Sequence, residues 1–561
     1  MTEAALSRPQ STSSVAGVLR YALLLVLCLG LYLPGQFDLP PVDRDEARFA
    51  QASHQMLESG DFVSIRFQNE ARNKKPVGIY WLQAASVGLL SPDDLSAIWA
   101  YRVPSWVGAT LAVLLTAWAG SALFGAEAGF LAALMLAGTV LLGVEARMAK
   151  TDAVLLAVIM GAQAALARLY MERDRSEAPG RALWLIFWTA QGIGVLIKGP
   201  IVPMVSGLTL LALWAFDRRM AWARRLRPLK GVAIVAAIAA PWLILIAIAT
   251  NGAFFVEAVG HDMLGKVAGG QESHGQPPGF YILSFWLTFA PWAFLAVLAA
   301  PWVWANRHEA AVRFCVAWIV PTWIMFEAVP TKLPHYVLPT FPAIAMLIAA
   351  ALLGGATGTA ETPRRRLWVG ALVPAALFAL ALPVAVAVLP VVAAGRFDPL
   401  AALAGVVGLA GLCGGLWLMR RGRITPAIAA TLATMLLLYG VTFQRVFPEL
   451  EPVWLSRQVA DAVKAGKPCG DTVLASAGYT EPSLVFLVGT GTRLSGSGEV
   501  AARHLLSDPA CGLALVESRL EEAFRQGLGQ AQPRLADLRT FTGFNYSRGK
   551  TQTLTLYALR P

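Results

Sequence analysis

The chain has 561 residues, of which 56% are hydrophobic and only 14% are charged. Globular proteins carry about 25% charged residues, so a soluble chain of this composition could not bury its apolar surface. Long uncharged runs recur near the roughly 20 residues that a helix needs to cross a bilayer, which excludes a soluble enzyme and a disordered chain. The runs also lack the alternating polarity, over about 10 residues, of outer-membrane β-strands.

The apolar runs predict a polytopic α-helical membrane protein with thirteen spans. We expect no cleavable signal peptide, because the first run is long enough to span and no small-residue cleavage site follows it. The predicted spans lie at about residues 17–35, 102–123, 128–146, 153–171, 182–199, 200–216, 231–249, 280–304, 312–329, 337–354, 367–393, 400–419 and 426–444.

The formal net charge of +11 comes largely from arginines in the short loops between spans. A cytoplasmic N-terminus places these loops inside, as the positive-inside rule requires. We therefore interpret the basic residues as topology signals and expect no nucleic-acid partner. The inner arginines are then Arg173, Arg175, Arg218, Arg219, Arg224, Arg225, Arg227, Arg307, Arg364, Arg365, Arg366, Arg420, Arg421 and Arg423.

An odd number of spans places residues 447–561 on the periplasmic side, and we expect two domains, 1–446 and 447–561. The composition of the second segment predicts a small α/β domain. Its β-like runs lie at 472–475, 484–488, 513–516 and 553–559, with an amphipathic stretch at 518–528.

Two of the five cysteines, Cys469 and Cys511, fall in the predicted periplasmic domain. An oxidising compartment would allow them to pair, and the sequence leaves this disulfide open. Cys28, Cys315 and Cys413 lie in apolar spans, where buried thiols are expected.

The first outer loop, 36–101, is too long for a connector. Asp45, Glu46, Arg48 and His54 begin a helix there. One interpretation is an interfacial helix with acids at its positive end. The other is a site in which carboxylates lie beside the cations and aromatics that follow, namely Lys74, Lys75, Tyr80 and Trp81.

Four further outer segments carry ionisable residues. Each has an ordinary structural explanation: Asp152 could cap a helix, Lys198 could extend to the membrane surface, and the proline-rich turns could be merely rigid. However, these segments all lie on the predicted outer face, which favours a shared site. The residues concerned are Asp152, Lys198, His261, His274, Lys332, His335 and Tyr336.

Five motifs in this order resemble the lipid A aminoarabinose transferase branch of the polyprenyl-phosphate-dependent GT-C glycosyltransferases, which are related to protein O-mannosyltransferases. The similarity covers about residues 15–445. The motifs are Arg44-Asp45-Glu46-x-Arg48-Phe49, Lys74-Lys75-Pro76-x-x-x-Tyr80-Trp81, Lys198-Gly199-Pro200, His274 with Pro277-Pro278-x-Phe280-Tyr281, and Lys332-Leu333-Pro334-His335-Tyr336-x-Leu338-Pro339.

The resemblance implies a GT-C architecture and a bacterial inner-membrane enzyme. Such an enzyme moves a sugar from an undecaprenyl-phosphate carrier to a periplasmic acceptor, here 4-amino-4-deoxy-L-arabinose to a lipid A phosphate, a change associated with polymyxin resistance. Transfer of another pentose or hexose to protein, glycan or lipid is the alternative within this class. A lipid-linked substrate transporter is the alternative outside it, disfavoured because the span centres are almost free of charge.

The resemblance also implies roles for individual residues. Lys74 departs from the family, where we expect an acidic residue at this position, and this weakens the substrate assignment more than the fold assignment. The implied catalytic residues are Asp45, Asp152 and Glu46; the donor-phosphate residues are Lys75, His261, Tyr336, Arg48 and Lys332; and the pocket residues are Lys74, Tyr80, Trp81, Lys198, His274 and His335.

The glycosyl phosphate of such a carrier already has a stabilised leaving group, so cations suffice to hold its charge and no organic cofactor is needed. Asp45 would act as a general base toward a hydroxyl acceptor, or orient a phosphate acceptor. A divalent metal between Asp45, Glu46 and a histidine is left open. We expect a monomer surrounded by membrane lipids, with Asp45, Lys75 and Tyr336 converging on one pocket that opens sideways to lipid between the loops.

Overall fold

The computed structural model describes residues 14–174, 182–268, 275–354 and 362–560. Up to residue 446 the described chain is almost entirely helical, as its long apolar runs require. The helices of this part are α1 Ser14–Tyr32, α2 Asp45–Ser59, α3 Gly78–Leu90, α4 Ile98–Phe124, α5 Ala126–Ala137, α6 Val140–Glu145, α7 Asp152–Met171, α8 Ala182–Lys198, α9 Ile201–Asp217, α10 Pro228–Ala249, α11 Ala253–Phe255, α12 Gly265–Ala268, α13 Phe280–Thr288, α14 Ala293–Ala305, α15 Ala310–Ala328, α16 Phe341–Leu353, α17 Thr362–Ala394, α18 Pro399–Arg420 and α19 Ile424–Val441.

Every predicted span falls on one of these helices or on a pair of consecutive ones. Eight helices in the described residues are long and apolar enough to cross a membrane, or nine if one bent pair counts as a span. That pair lies at the predicted span 280–304, and its two helices, α13 and α14, meet at 116°. Pro291 lies at the break, where a residue without an N–H cannot continue the helical hydrogen bonds.

The first outer loop is a folded unit. It contains α2, a two-stranded antiparallel sheet of β1 Arg66–Phe67 and β2 Glu70–Ala71, and the short apolar helix α3. The apolar face of α2 is buried, with Phe49 packed against Tyr80 of α3 at a ring distance of 5.3 Å. This packing fixes the N-terminus of α2 at a position where Asp45 can face a cavity.

The C-terminal part forms a five-stranded mixed sheet in the order β4-β3-β5-β7-β6. Its side chains alternate between two cores: Leu513 and Leu515 pack on one face with α20, and Ala514 and Val516 pack on the other with α22 and α23. The elements are α20 Leu455–Ala465, β3 Leu474–Ala477, α21 Pro482–Val488, β4 Arg493–Ser495, α22 Gly498–Ser507, β5 Leu513–Glu517, α23 Glu521–Leu528, β6 Leu535–Asn545 and β7 Lys550–Leu559.

One predicted β-like run in this region is wrong. Residues 484–488 belong to helix α21, which begins with Pro482. A short buried apolar run does not distinguish a strand from a helix by its periodicity, although proline at the first helical position favours a helix start.

Cys469 and Cys511 form a disulfide across 42 residues of this region. The sequence had left that pairing open. Of the three cysteines expected to be buried, Cys28 and Cys315 are buried, whereas Cys413 is exposed on α18.

The C-terminal region lies directly on the first outer loop. Phe486 of α21 is buried and meets Tyr101 edge-on at 5.3 Å. The Thr490 hydroxyl accepts a hydrogen bond from Gln51 at 2.8 Å and donates one to Glu58 at 2.7 Å. These contacts hold α2 between the membrane helices and the sheet.

Candidate active site

A cavity of about 340 Å³ lies where the first outer loop meets the ends of several membrane helices. Its walls carry eight basic side chains and four acidic ones, an excess of positive charge that suits an anionic ligand. Its lining residues are Asp43, Arg44, Asp45, Arg48, Phe49, Arg72, Lys74, Lys75, Met148, Lys150, Thr151, Asp152, Lys198, Asp262, Lys266, Thr331, Leu333, His335 and Tyr336.

Asp45 is the first residue of α2 and its side chain is exposed to the cavity. Within the described ranges its carboxylate makes no hydrogen bond and no ion pair. The preceding residue, Arg44, adopts φ 46° and donates a hydrogen bond to the carbonyl of Ser547. A positive φ is costly for a residue with a Cβ, so the contact with the C-terminal region helps to hold this turn.

Glu46 is placed differently, although it follows Asp45 directly. Its carboxylate is fully buried and accepts two hydrogen bonds from Arg102, at 2.8 and 2.9 Å. It also accepts from the backbone N–H groups of Val42 and Ala149, both at 2.7 Å. Glu46 does not line the cavity, so its placement is that of a residue that ties three segments together, not of a catalytic acid as the sequence suggested.

The facing wall holds a buried cluster of opposite charges. Lys150 lies 2.8 Å from Glu145 and 3.5 Å from Asp152, and Lys198 donates to Asp152 at 2.6 Å. His335 Nε2 lies 3.7 Å from Asp152. Burial acts to lower the pKa of Lys150, but the carboxylates of Glu145 and Asp152 outweigh it and raise that pKa above its usual value.

This cluster corrects the simple structural explanation of Asp152. Thr151 occupies the position before α7, and the Asp152 side chain bonds Lys198 instead of capping the helix. Lys198, in turn, does not extend to the membrane surface. Its ammonium group lies 5.6 Å from the centre of the Tyr336 ring, so Tyr336 closes this side of the cavity.

A third group of charges comes from the loop after α10. Lys75 and Lys266 donate to the two oxygens of Asp262, each at 2.7 Å. Burial, with the nearby charge of Lys266, lowers the pKa of Lys75 to about 8, although Asp262 acts in the opposite direction. Burial acts to raise the pKa of Asp262, but Lys75 and Lys266 hold it below its usual value.

The C-terminal region also positions Asp43. The carboxylate of Asp43 accepts from the Ser483 N–H at 2.8 Å, and its own N–H donates to the Tyr546 hydroxyl at 2.7 Å. Burial and the nearby charge of Glu481 raise the pKa of Asp43 to about 7.

The cavity brings together most of the residues that the sequence singled out. Asp45, Lys75 and Tyr336 meet there as expected. The other predicted residues on its walls are Arg48, Lys74, Asp152, Lys198 and His335.

Besides Glu46, four predicted residues lie away from the cavity. Tyr80 is fully buried against Phe49, and Trp81 donates to the Phe62 carbonyl at 2.8 Å. Lys332 is buried and donates to the carbonyls of Val329 and Gln276, at 2.9 and 3.2 Å. In the structure these three side chains contribute to packing and loop structure.

The fourth, His261, is exposed on the π-helical turn Val256–Leu264 and does not line the cavity. Its neighbour Asp262 takes the expected place beside Lys75. His274, like the inner residue Arg175, lies outside the described residues.

Sequence reasoning missed several residues of the cavity. Asp262 and Lys266 are four residues apart on a helical turn, so charge spacing could have indicated this pair. Lys150 lies two residues before Asp152, a spacing that does not predict a contact. Arg72 lies 5.3 Å from the centre of the Phe49 ring, a contact that depends on tertiary packing. No local pattern would have found Asp43, which lines the cavity beside the C-terminal region.

Glu145, Asp152 and His335 offer one ligand atom each within 4.8 Å of one another, the spacing of a metal site. Lys150 and Lys198 already neutralise the two carboxylates, so these residues fit a metal only if the lysines move. The metal set that the sequence left open, Asp45, Glu46 and a histidine, is not assembled among the described residues, because Glu46 is bonded to Arg102. A second group, Cys469, Asp471 and Cys511, has both of its cysteines in the disulfide.

The arrangement can hold an anionic group among Lys75, Lys74, Arg48 and Arg72, with Asp45 exposed beside them. Cations held in place by carboxylates stabilise a leaving phosphate without reorganisation. An exposed carboxylate can accept a proton or hold an acceptor in position.

Three kinds of comparison show which known proteins this chain resembles. The family model described as dolichyl-phosphate-mannose-protein mannosyltransferase matches residues 74–245. An undecaprenyl phosphate-α-4-amino-4-deoxy-L-arabinose arabinosyl transferase of Pseudomonas aeruginosa (strain UCBPP-PA14) is 28% identical over 316 residues, 55% of this chain and 55% of that protein. Its namesake from Aeromonas salmonicida (strain A449) is 28% identical over 339 residues, 59% of each chain. The chain thus spans little more than half the length of these relatives.

Two solved structures share the fold. The crystal structure of ArnT from Cupriavidus metallidurans bound to undecaprenyl phosphate has a TM-score of 0.73 at 20% identity, covering 97% of this chain and 98% of that one. The oligosaccharyltransferase of Archaeoglobus fulgidus has a TM-score of 0.54 at 11% identity, covering 90% and 70%. The resemblance read from the sequence motifs is therefore confirmed, and so is the mostly helical fold that these structures share.

Proposed function

We propose that this protein is an inner-membrane glycosyltransferase. It transfers a sugar, 4-amino-4-deoxy-L-arabinose, from an undecaprenyl-phosphate carrier to a phosphate of lipid A on the periplasmic side. The observation that carries the proposal is one cavity in which Asp45, whose carboxylate has no partner among the described residues, lies with Lys75, Lys74, Arg48 and Arg72.

The donor is a phosphodiester between the sugar C1 and the polyprenyl alcohol. During transfer the bond from C1 to the phosphate oxygen breaks, and the polyprenyl phosphate leaves with the bonding electrons and an added negative charge. Lys75 and its neighbouring cations stabilise this charge, while Asp262 keeps the two lysines apart and oriented.

The new bond forms between C1 and an oxygen of the acceptor. A lipid A phosphate is already anionic and needs no base, so Asp45 orients it and stabilises positive charge on the sugar ring as the old bond breaks. A hydroxyl acceptor would instead lose its proton to Asp45. Lys74, which stands where relatives are expected to have an acid, adds a cation that supports an anionic acceptor.

Mass spectrometry of lipid A tests this proposal. Cells that express the protein, in a strain lacking its own transferase, should gain lipid A carrying one or more aminoarabinose groups and should survive polymyxin better. The Asp45→Asn variant, expressed to the same level, should give unmodified lipid A. If the wild-type protein leaves lipid A unmodified and the sugar is found on another periplasmic product, the proposed acceptor is wrong. The proposed reaction class would still hold.

The orientation is part of the proposal. A cytoplasmic N-terminus with thirteen crossings places the cavity and the C-terminal domain, 447–561, in the periplasm and leaves 1–446 as the membrane domain. The arginine-rich 3₁₀ turn Ala221–Leu226 then faces the cytoplasm. Only this orientation lets the cavity meet a carrier lipid presented on the outer leaflet.

A matched pair of arginine-to-cysteine variants tests the orientation. Arg224 and Arg503 are both exposed, and Cys413→Ser removes the exposed native thiol. In that background, a membrane-impermeant thiol reagent applied to cells with a permeable outer membrane should label Arg503→Cys and spare Arg224→Cys. The reverse pattern would place the cavity in the cytoplasm and contradict the proposal.

A further inference from the structure

A second cavity, of about 900 Å³, lies between α1, α5 and α19, and we call it the inner groove. It lies at the far end of these helices from the candidate active site. α1 carries Arg20 in the groove and ends at Tyr32, beside the first outer loop. α19 begins in the groove at Ile424, and the turn after it bonds the same loop, through Gly35 N–H to Gln444 at 2.9 Å.

The body of the inner groove is apolar. It runs along α19 from Ile424 to Leu436, which at 1.5 Å per residue is about 18 Å. One leaflet of a bilayer has a hydrocarbon depth of about 15 Å, half the thickness of the core. The groove therefore has the length of one acyl chain and a wall of leucine and phenylalanine side chains, including Leu27, Phe130 and Leu134.

The rim of the inner groove is cationic. Arg20 and Arg423 line it with a single acid, Glu127. The contact of Arg20 with Glu127 is 3.9 Å long, and the Glu127 side chain is 78% exposed, so water screens this pair. The Nη1 atom of Arg20 is buried and has no hydrogen-bond partner among the described residues. A buried guanidinium N–H without a partner is costly unless a ligand accepts its hydrogen bond.

The N-terminus of α19 adds to the positive charge at the rim of the inner groove. Arg423 precedes the helix, and no side chain caps its N-terminus. The first backbone N–H groups of a helix lack partners within it, and the helix dipole places partial positive charge there. A negatively charged group at the rim would thus meet two guanidinium groups and a helix start.

We propose that the inner groove binds one anionic phospholipid of the surrounding membrane. Its acyl chain lies along α19, and its phosphate accepts hydrogen bonds from Arg20 and Arg423. An apolar groove alone would accept any lipid chain; the cationic rim selects the headgroup. This inference does not depend on the proposed transferase function, because no residue of the groove lines the candidate active site.

Native mass spectrometry of the full-length protein in mild detergent tests the inference. The protein is titrated with phosphatidylglycerol or with phosphatidylcholine that carries identical acyl chains. The wild type should retain phosphatidylglycerol at least tenfold more tightly. The Arg20→Gln/Arg423→Gln variant should lose this preference, whereas Arg218→Gln/Arg307→Gln, which removes two cations that lie over Trp214 and Trp304 outside the groove, should keep it.

A second variant tests the groove without changing charge. Ala433 is exposed in the groove, so Ala433→Trp should fill it and abolish retention of phosphatidylglycerol without disturbing the core. Equal retention of the two lipids by the wild type would mean that only bulk lipid covers the groove, and would overturn the inference. Unchanged phosphatidylglycerol retention by both groove variants, each with a wild-type melting temperature, would also overturn it.

Discussion

The two walls of the candidate active site hold their carboxylates in opposite ways. On the first wall, Asp45 makes no hydrogen bond or ion pair with any residue that the structure describes. On the facing wall, Asp152 is bonded to Lys198 at 2.6 Å and Glu145 is bonded to Lys150 at 2.8 Å. A paired carboxylate positions a lysine, whereas an unpaired one keeps its acceptor oxygens for a substrate.

The adjacent acids Asp45 and Glu46 differ just as strongly in their bonding partners. Glu46 satisfies Arg102 and two backbone N–H groups, and by doing so it anchors the first turn of α2. The anchored turn leaves the adjacent Asp45 facing the cavity. Adjacent acids in one motif therefore have separate tasks, one in structure and one in chemistry, and substitutions should separate them.

The largest expected effect is that of Asp45→Asn. This variant keeps the shape of the side chain but removes its charge, and we expect sugar transfer to fall by about 10²–10⁴-fold. The melting temperature should stay near that of the wild type, because the carboxylate has no partner to lose among the described residues. Asp93→Asn changes an exposed acid of the same loop outside the cavity and should leave transfer unchanged. Equal activity of the two variants would contradict a catalytic role for Asp45.

Glu46→Gln should act on stability instead. The side chains of Glu46 and Arg102 are both fully buried, so loss of one charge leaves the other without compensation. Breaking such a pair costs about 3–5 kcal/mol of unfolding free energy. Denaturant unfolding in detergent should show this loss for Glu46→Gln and not for Asp45→Asn. A Glu46→Gln protein that has wild-type stability but no activity would contradict this structural role and support the catalytic role that the sequence predicted.

The third prediction concerns the pH dependence of donor binding. The pKa of Lys75 is lowered to about 8, so its ammonium charge is present below that pH and lost above it. Affinity for undecaprenyl phosphate should therefore be steady near pH 7 and fall by up to about tenfold per pH unit above 8. Lys75→Arg should bind without this fall, because a guanidinium stays charged throughout the range.

Asp262→Asn sharpens this prediction. Asp262 raises the pKa of Lys75, against burial, Lys266 and Lys198, which lower it. Removing its charge should move the loss of affinity to a pH below 8. Binding assays from pH 6 to pH 10 on the wild type and the two variants would show the order, and a common pH profile for all three would exclude Lys75 as the titrating group.

The sequence predicted that most of the chain would be helical, for a physical reason. Apolar runs long enough to cross a bilayer have few alternatives to a helix, so each predicted span falls on helical residues. Hydropathy measures how apolar a run is and not the direction of the chain. It therefore gave no sign of the bend at Pro291 between α13 and α14. The helix at 484–488 was missed because a short apolar run fits either a strand or a helix.

The sequence motifs of the candidate site could be recognised, but the ion pairs between its carboxylates and cations could not be predicted. The resemblance carried by the motifs around Asp45, Lys75 and Tyr336 implied that these residues share one site, and all three line the cavity. Which carboxylate would be paired depends on residues far away in sequence, such as Arg102 for Glu46 and Lys198 for Asp152. Likewise, the sequence could not show that Ser483 and Tyr546 of the C-terminal region would hold Asp43 at the cavity.

The smallest expected effect is that of a variant at Thr490. It tests whether the contact between α2 and the C-terminal region supports the first wall of the site. Thr490 links Gln51 and Glu58 of α2 to the C-terminal region, and Thr490→Val would leave the buried Gln51 amide without that partner. We expect a loss of about 1 kcal/mol, seen as faster hydrogen exchange in α2, and a less than tenfold loss of transfer because Asp45 itself is intact. Thr540→Val, which removes an exposed hydroxyl bonded to Thr555 on the same sheet, is the matched control. Equal exchange in α2 for both variants would mean that the Thr490 contact does not support α2, and that other contacts, such as the bond between Glu46 and Arg102, hold Asp45 in place.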